Sequence, residues 1–573
     1  MVSSPTFIAK LQTAVKASDK HMETYRSKRV EALKYYVGVH YGAGGSVVRA
    51  PLNMIFSAVS VLVPHLVSQN PHVETHPKNN PALRPFAETF RLAIEYVMRE
   101  IELSETLMQI VFDSMFGAGI AKVGIFKTGE REVHGYTHDL LQPFVDRVDL
   151  DDYFCDMSTK RRDKMRYEGN RYRVPLAWAK ETYDNAEMLD PHYQDEQAGD
   201  TAHKIGGRGG IFDEEIEDYV EIQDVWLPDE GLLLTIPGEG QGTGALDEVE
   251  WEGPERGPYG MLGYYTVPDN LLPLAPVAMW RDLHEMINTL ARKFKNKTER
   301  QKDVGYYEAK AADDADRVKT AADGDMVRVD NAQGIGQMKF GGVDNAGWFA
   351  LGQLMQYFSR QAGGIDQLGG LRSEAQTATE AGMLQGNMFS RLGYMESRIY
   401  QFTKKIMGQI AHYLFYDPEA QIPVVKEIVG TDIKVQEIFS ADRVEGDLMD
   451  YAVDIEPYSM RIVSREEQAK RIVDWATGIV LPTAQLSAAQ GHYLDVPKLV
   501  KVLADKLDIS EADELYVEGA PMQAPAVSGG GRQEQGGGGA RPAAQGAMPG
   551  MGQVPGEQSQ PQPQPEAAMQ GAG

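Results

Sequence analysis

Residues 363–382 read GGIDQLGGLRSEAQTATEAG, and the reading of the fold turns on this stretch. Glycine is the residue for backbone that must bend or move, yet this run lies directly before the longest apolar repeat in the chain. Downstream of it Leu384, Met388, Leu392, Met395, Ile399, Phe402, Ile406, Ile410 and Tyr413 recur with a mean step of about 3.6 residues, the α-helical period. Thr377-x-x-Glu380 is a capping box that sets a helix start. Pro418 in YDPEA ends the pattern. The spacing predicts a helix over 378–416.

Working outward, a helix is expected from Trp348 to about Gln361. A compact module precedes it, reading strand (VGYYEAK), short helix (ADRVKTAA), strand (DMVRVD) and strand (QMKF). Before that, Val277, Trp280, Leu283, Ile287, Leu290 and Phe294 step by three or four and make one apolar helical face. That helix turns basic at its end, with Arg292, Lys293, Lys295, Lys297, Arg300 and Lys302. The N-terminal half reads as helices over about 8–41, 51–68 and 81–116. A strand-rich region to about Pro268 follows, including DRVDLDDYF, YVEIQDVWL, GLLLTIP and GYYTV. Polar stretches at 195–210 and 238–260 read as surface loops. Strands are expected over 422–455 and helix over 464–516. Beyond Gly519 the chain is Gly, Pro, Gln and Ala, which cannot offset its ordering entropy and predicts disorder.

At 573 residues the chain is long enough for two or three domains with cores. Its formal net charge is −26. Proteins that grip nucleic acid over a broad surface neutralise phosphate with a basic one, so tight, extended binding is not expected. The single cysteine, Cys155, excludes an internal disulfide or a cysteine-based zinc site, and reads as a core or boundary residue. MVSSPTFIAK lacks the basic-then-apolar pattern of a secretory signal. PLNMIFSAVSVLVPHLV, 51–67, carries Asn53, Pro64 and His65 and is shorter than the ~20 residues of a membrane span. It reads as a buried helix, and the chain as a protein of a reducing compartment with no membrane partner.

Several motifs fall short of chemistry. IPGEGQGTGA, 236–245, has the G-x-G-x-x-A outline of a dinucleotide loop at Gly240, Gly242 and Ala245. The acidic, proline-broken LDEVEWEGPERGP follows instead of an apolar helix, and an acidic helix start would repel pyrophosphate; an acidic hairpin is the better reading. HEMIN, 284–288, lacks the second histidine of a zinc pair, which is Asn288. His65, His72 and His76 have no carboxylate or cysteine completing a ligand set. DLDDYFCD, Asp149 to Asp156, could bind a hard cation but lacks the frame of an EF-hand, and reads first as a solvated acidic turn. No nucleophile elbow, phosphate loop or Cys/His pair is present. The basic helix end departs from the acidity of the chain and points to nucleic acid nearby.

The order of elements resembles the portal protein (head-to-tail connector) of tailed bacteriophages, the short-tailed type in particular. PLNMIFSAVSVLVPHLVSQNP resembles that family's N-terminal helix and turn, and DSMFGAGIAKVGIF its helix–Gly–strand segment. VDLDDYFCD followed by GNRYRVPLAWAKE resembles its acidic turn and next strand. SEAQTATEAGMLQGNMFSRLGYMESRI resembles its tunnel loop and long helix. The likeness covers about 30–516.

The resemblance implies a mixed α+β, predominantly helical chain of portal type. It implies a ring of about twelve subunits at one capsid vertex, around a channel through which a motor drives double-stranded DNA, with no catalysis, metal or cofactor. The wing would be 1–273, the long helix 378–416 and the strands 417–459. The stem would be 274–302 and 346–362, the clip 303–345, the tunnel loop 363–377 and the crown 460–518, with a disordered tail at 519–573. In the tunnel loop Gln367, Leu371, Arg372 and Ser373 would face DNA, with Gly363, Gly364, Gly369 and Gly370 as hinges. Lys293, Lys295, Lys297, Arg300 and Lys302 would make a few phosphate contacts at the stem base. Implied partners are further copies of the chain, double-stranded DNA, the terminase large subunit, tail-adaptor or head-completion proteins, and major capsid and scaffolding proteins. The implied place is the virion, after synthesis in the host cytoplasm. Two other readings compete: a different virion assembly protein such as a tail adaptor or scaffold, which needs no clip-like insert, and a metal-dependent hydrolase using the carboxylates of Asp149 to Asp156.

Overall fold

The computed structural model describes residues 4–38, 52–133, 136–190, 218–238, 240–242, 244–340, 345–368, 378–418, 420–427, 434–456, 459–460, 470, 472–480 and 482–483. Over 127–133, 136–140 and 378–390, and at 340 and 367, it describes the backbone alone. One compact unit spans Met1–Ser464 and a second Arg465–Gly573. In the second, the described stretch is helical at 472–475 and takes a π-helical turn over Ala476–Val480. Most of the expected crown and all of the expected tail lie outside the described residues.

Helix α1, Pro5–Val37, starts where the Ser4 hydroxyl accepts from the Phe7 amide at 3.4 Å. It stops at Gly38, whose φ of 76° ends a helix readily, before the Tyr41 expected. The glycine cluster at 42–45 lies outside the described residues. Helix α2, Met54–Leu66, is the apolar segment, capped by Asn53 and buried through Ile55, Ala58, Val59 and Leu62. Strand β1 is Val73–Pro77. The helical run expected over 81–116 is two helices, α3, Arg84–Glu100, and α4, Leu103–Phe116, broken at Glu102 with φ 48°. At the following glycines the chain turns back as a strand. A Cβ on Gly119 would lie 2.2 Å from the Ile110 carbonyl oxygen, so only glycine lets the strand leave there.

That strand, β2, Gly119–Val133, pairs antiparallel with β3, Tyr136–Val148, and on its other edge with β9, Tyr259–Leu262. A five-stranded antiparallel sheet runs in chain order through β4, Tyr153–Cys155; β5, Glu168–Pro175; β6, Tyr219–Leu227; β7, Leu232–Pro237; and β8, Asp247–Glu250. Between β5 and β6 lies a short helix, α5, Leu176–Thr182. The sheet buries Phe154, Val225, Leu234 and Ile236 against Ile8, Leu11 and Val15 of α1. The dinucleotide-like outline sits in the β7–β8 hairpin, with every residue of β8 exposed, which is the acidic hairpin expected. The loop expected over 238–260 therefore contains β8 and the start of β9. GYYTV contributes a lone bridge, Tyr265 to Leu274, rather than a strand.

The second half places α6, Pro276–Glu299; β10, Lys302–Tyr307; α7, Ala312–Thr320; β11, Ile335–Phe340; and α8, Asn345–Gln361. The long helix α9, Ala378–Tyr416, has the expected bounds. Strands β12, Gln421–Glu427, and β13, Lys434–Ser440, form a hairpin, and β14, Tyr451–Ile455, returns to pair with β1. Leu392, Met395, Ile399, Phe402, Ile406 and Ile410 of α9 are buried, the face that its period predicted. Phe86, Phe90, Phe415, Phe439 and Tyr451 knit α3, α9, β13 and β14 with ring centroids 5.4–6.3 Å apart. About half the chain is helical, with several small antiparallel sheets, so the fold is mixed α+β.

The acidic run 149–156 is not the solvated turn expected. Arg29, 4% exposed, places Nη1 2.6 Å from Asp149 Oδ1 and 3.6 Å from Asp151 Oδ1, with Nη2 3.9 Å from Asp113 Oδ1. Arg147 donates to both Asp113 and Asp149. Asp156 accepts from Arg166 Nε at 2.8 Å and from Ser158; despite its burial these bonds hold its carboxyl down at about 2. Burial pushes the Cys155 thiol up to about 12, keeping it a neutral core residue. Removing one partner of a buried charge network costs about 3–5 kcal/mol. Arg29→Met should therefore lower unfolding stability in urea by about that much, and adding Asp113→Asn should restore part of it. An unchanged midpoint would show that the network contributes nothing to stability.

Candidate nucleic-acid interface

The expected stem is built on α6. Its buried side holds Val277, Trp280, Ile287 and Phe294, with Leu283 and Leu290 half-buried, as the periodicity predicted. Trp280 meets Phe358 edge-on at 6.2 Å, and Phe294 meets Trp348 at 5.4 Å. These two pairs run in opposite senses along α6 and α8, so the helices are antiparallel and present one common end.

The HEMIN segment explains itself as structure. The Asn288 amide donates to the Leu52 carbonyl at 2.9 Å and accepts from the Leu52 amide at 3.1 Å. A histidine in place of Asn288 could not do both at once. His284, buried one turn earlier, packs edge-on to Tyr35 at 5.8 Å. Among the described residues no group of three or more His, Cys, Asp or Glu side chains could hold a metal ion.

At the free end of α6, Lys293, Lys295, Lys297 and Arg300 are exposed, and Lys302 opens β10. Lys295 lies 3.8 Å from Glu299; among the described residues the other four have no carboxylate at ion-pair distance. Lys293, Lys297 and Arg300 step by four and three and share one side, whereas Lys295 falls elsewhere on the helix. The helix end thus carries a stripe of three cations on one side, with Lys295 on another. Part of this is local, since cations offset the partial negative charge of a helix C-terminus. Lys339, which the sequence reading missed, joins them through the register of β11, opposite Asp303. Its signal was its place in QMKF, a strand beside the basic run.

The expected clip is a two-stranded antiparallel sheet, β10 with β11, carrying α7. DMVRVD is not a strand as expected. At its end the Asp314 carboxylate accepts from the Asp330 and Asn331 amides at 2.9 and 3.0 Å. Few residues of the module are buried: every residue of β10 is exposed, Tyr306 and Tyr307 included. Trp348 and Phe349 on α8 are exposed too, Phe349 by 70%.

Of the expected tunnel loop, Gly363 and Gly364 are described, with φ of 95° and 79°, conformations that favour glycine. They end α8, the Gly364 amide bonding the Ser359 carbonyl at 2.7 Å. The next residues are not loop, because Ile365–Leu368 forms a turn of helix with Ile365 buried. The Gln367 side chain, Gly369, Gly370, Leu371, Arg372, Ser373 and the capping residue Thr377 lie outside the described residues. Arg391 of α9 was not anticipated. Its Nη1 donates to the Arg360 and Gln361 carbonyls at 3.0 Å each, closing the C-terminus of α8.

Scanned against models of protein families, the sequence matches none, and no curated protein matches it. Among the described residues no helix is long and apolar enough to cross a membrane.

Burial lowers the His284 pKa to about 4. The unfolded chain therefore takes up a proton near 6.5 that the folded chain refuses, and stability present above pH 6.5 is lost as pH falls towards 4. Between pH 7 and 4.5 the protein should lose about 2–3 kcal/mol more than a His284→Gln variant, read from urea midpoints at both pH values. Equal losses would mean that His284 titrates alike in both states.

Proposed function

We propose that the chain is a portal-type subunit, a DNA conduit that assembles as a ring at one vertex of a phage capsid. The observation that carries this is the antiparallel α6–α8 pair tipped by a sheet with almost no core. A two-stranded sheet is marginal alone, and the exposed Tyr306, Tyr307, Trp348 and Phe349 leave apolar side chains that suit burial against a partner. A closed ring offers such burial by seating one face of each copy on a different face of the next. The unpaired cations at the end of α6 support a few phosphate contacts, and the net charge of −26 disfavours a grip that would stop DNA from sliding.

In this reading the ring takes DNA from a terminase motor, retains it, and passes it to tail-adaptor proteins, with scaffolding and capsid proteins as assembly partners. The chain performs no catalysis of its own. A tail adaptor needs no such helix-flanked insert. Of the carboxylates that the hydrolase reading needs, Asp149 and Asp156 are held by Arg29, Arg147 and Arg166, which weighs against it.

Light scattering and single-particle imaging of the purified chain should show a ring of about a dozen copies with a central hole. A stable closed dimer would overturn the proposal. Arg372→Glu with Lys297→Glu should leave the ring intact yet reduce the DNA packaged or retained per particle. Normal genome content in such particles would remove these residues as DNA contacts.

A further inference from the structure

A second cluster of cations lies along α9, away from the end of α6. The segment around β9 runs beside this helix in a defined register. Arg398 Nε donates to the Gly263 carbonyl at 3.0 Å, and Gln409 Nε2 donates to the Gly257 carbonyl at 2.7 Å. Between them the Phe402 ring lies against Gly260, where an added Cβ would meet it at 3.1 Å. Lys405 falls between Phe402 and Gln409 on the helix, and so beside the stretch between Gly260 and Gly257. Two arginines reach that same stretch from elsewhere. Arg162 donates from Nη2 to the Tyr259 carbonyl at 2.8 Å, and Arg256 immediately precedes Gly257.

The side chains feel one another. Although Lys405 is exposed, the protein around its ammonium group, and then the charges of Arg162, Arg256 and Arg398, push its pKa below the usual lysine value. Of these four, among the described residues, Arg162 alone has a carboxylate partner, Glu168 at 2.5 Å. Among the described residues neither Lys405 nor Arg256 has an acidic partner or donates a hydrogen bond. Helix ends do not account for the row, since Arg398 and Lys405 are far inside α9 and the dipole effect fades within one turn. Like charges held together repel, and an arriving anion relieves that repulsion.

We propose that Arg256, Arg398 and Lys405, with Arg162 behind them, form a binding site for phosphate groups. The seven steps from Arg398 to Lys405 cover ~10.5 Å of helix. One DNA strand carries a charge every ~3.4 Å along its axis, so the row suits a run of phosphates better than a single one. That run could be the phosphodiester backbone of a duplex or a free polyphosphate. The site does not depend on the portal reading.

The test uses the full chain, titrated with sodium tripolyphosphate and separately with a short DNA duplex at several salt concentrations. A Lys405→Gln/Arg256→Gln variant is compared with wild type, and a Lys297→Gln/Arg300→Gln variant serves as the stem-base control. Because Lys405 and Arg256 hold no described bond, the unfolding midpoint should not move; Lys405→Gln alone is the second variant. Tripolyphosphate should bind wild type and weaken about tenfold or more per cation removed. If the duplex is the source, its salt slope should also fall by roughly 1.8 in the double variant. Weakened tripolyphosphate with an unchanged duplex slope assigns the site to a free polyphosphate. Absence of tripolyphosphate binding to wild type, or equal binding by the folded variants, overturns the site. Loss of duplex binding in the stem-base control alone, with tripolyphosphate unaffected by the Lys405→Gln/Arg256→Gln change, leaves the stem contact and removes this one.

Discussion

Arg29 is a guanidinium almost without solvent, and three aspartates from two separate places in the chain converge on it. Moving such a group out of water is costly unless its charge and hydrogen bonds are met. Its carboxylates meet it so well that its pKa rises despite burial. Asp113 comes from α4, while Asp149 and Asp151 come from the turn between β3 and β4. Satisfying one side chain of α1 therefore fixes where α4, the β2–β3 hairpin and the start of the five-stranded sheet must lie. Arg26 extends the seam by donating to the Leu150 and Tyr153 carbonyls at 3.1 and 2.8 Å. Farther along, Tyr35 bonds Glu285, and Arg281 lies 3.2 Å from Glu31, so the same helix carries the seam to α6. Helix α6 is held to the rest of the unit partly through α1.

What was legible in the sequence followed from periodicity and breakers. The face of α9, the apolar α2, and the α6–insert–α8 order depend on residue spacing and on Pro418, and the structure has them at the expected places. What was not legible depended on partners distant in sequence. Nothing in DLDDYFCD announces that Arg29 waits on a helix more than a hundred residues earlier, so a buried charge network reads as a wet turn. DMVRVD alternates like a strand, yet it runs as irregular chain and at its end the Asp314 carboxylate takes the Asp330 amide. Glu102 breaks a helix with neither proline nor glycine, by adopting a left-handed conformation rare for its type. For the candidate site, the cations at the end of α6 were visible as composition. Lys339, Arg391 and the row beside β9 were not, because each belongs to its group through register or helix packing.

Charge is distributed in this chain with a consistent logic. Most acidic groups outside the buried networks, such as those of β8, are exposed and add to a field that keeps polyanions at a distance. Two groups of cations with few acidic partners among the described residues lie where two helices end and where a helix passes a strand. In such a field, contact with a polyanion is confined to a few points, and its strength should fall steeply with salt.

The bond from Arg391 to the end of α8 has a geometric consequence for the chain between the two helices. It pins a point inside α9 next to the place where α8 terminates. The helical residues from Ala378 to Arg391 measure about 20 Å along the axis. The links from Leu368 to Ala378 can reach at most ~35 Å. The ~20 Å from Arg391 back to Ala378 is shorter than that reach, so holding Arg391 at the end of α8 is compatible with the short length of chain between the helices.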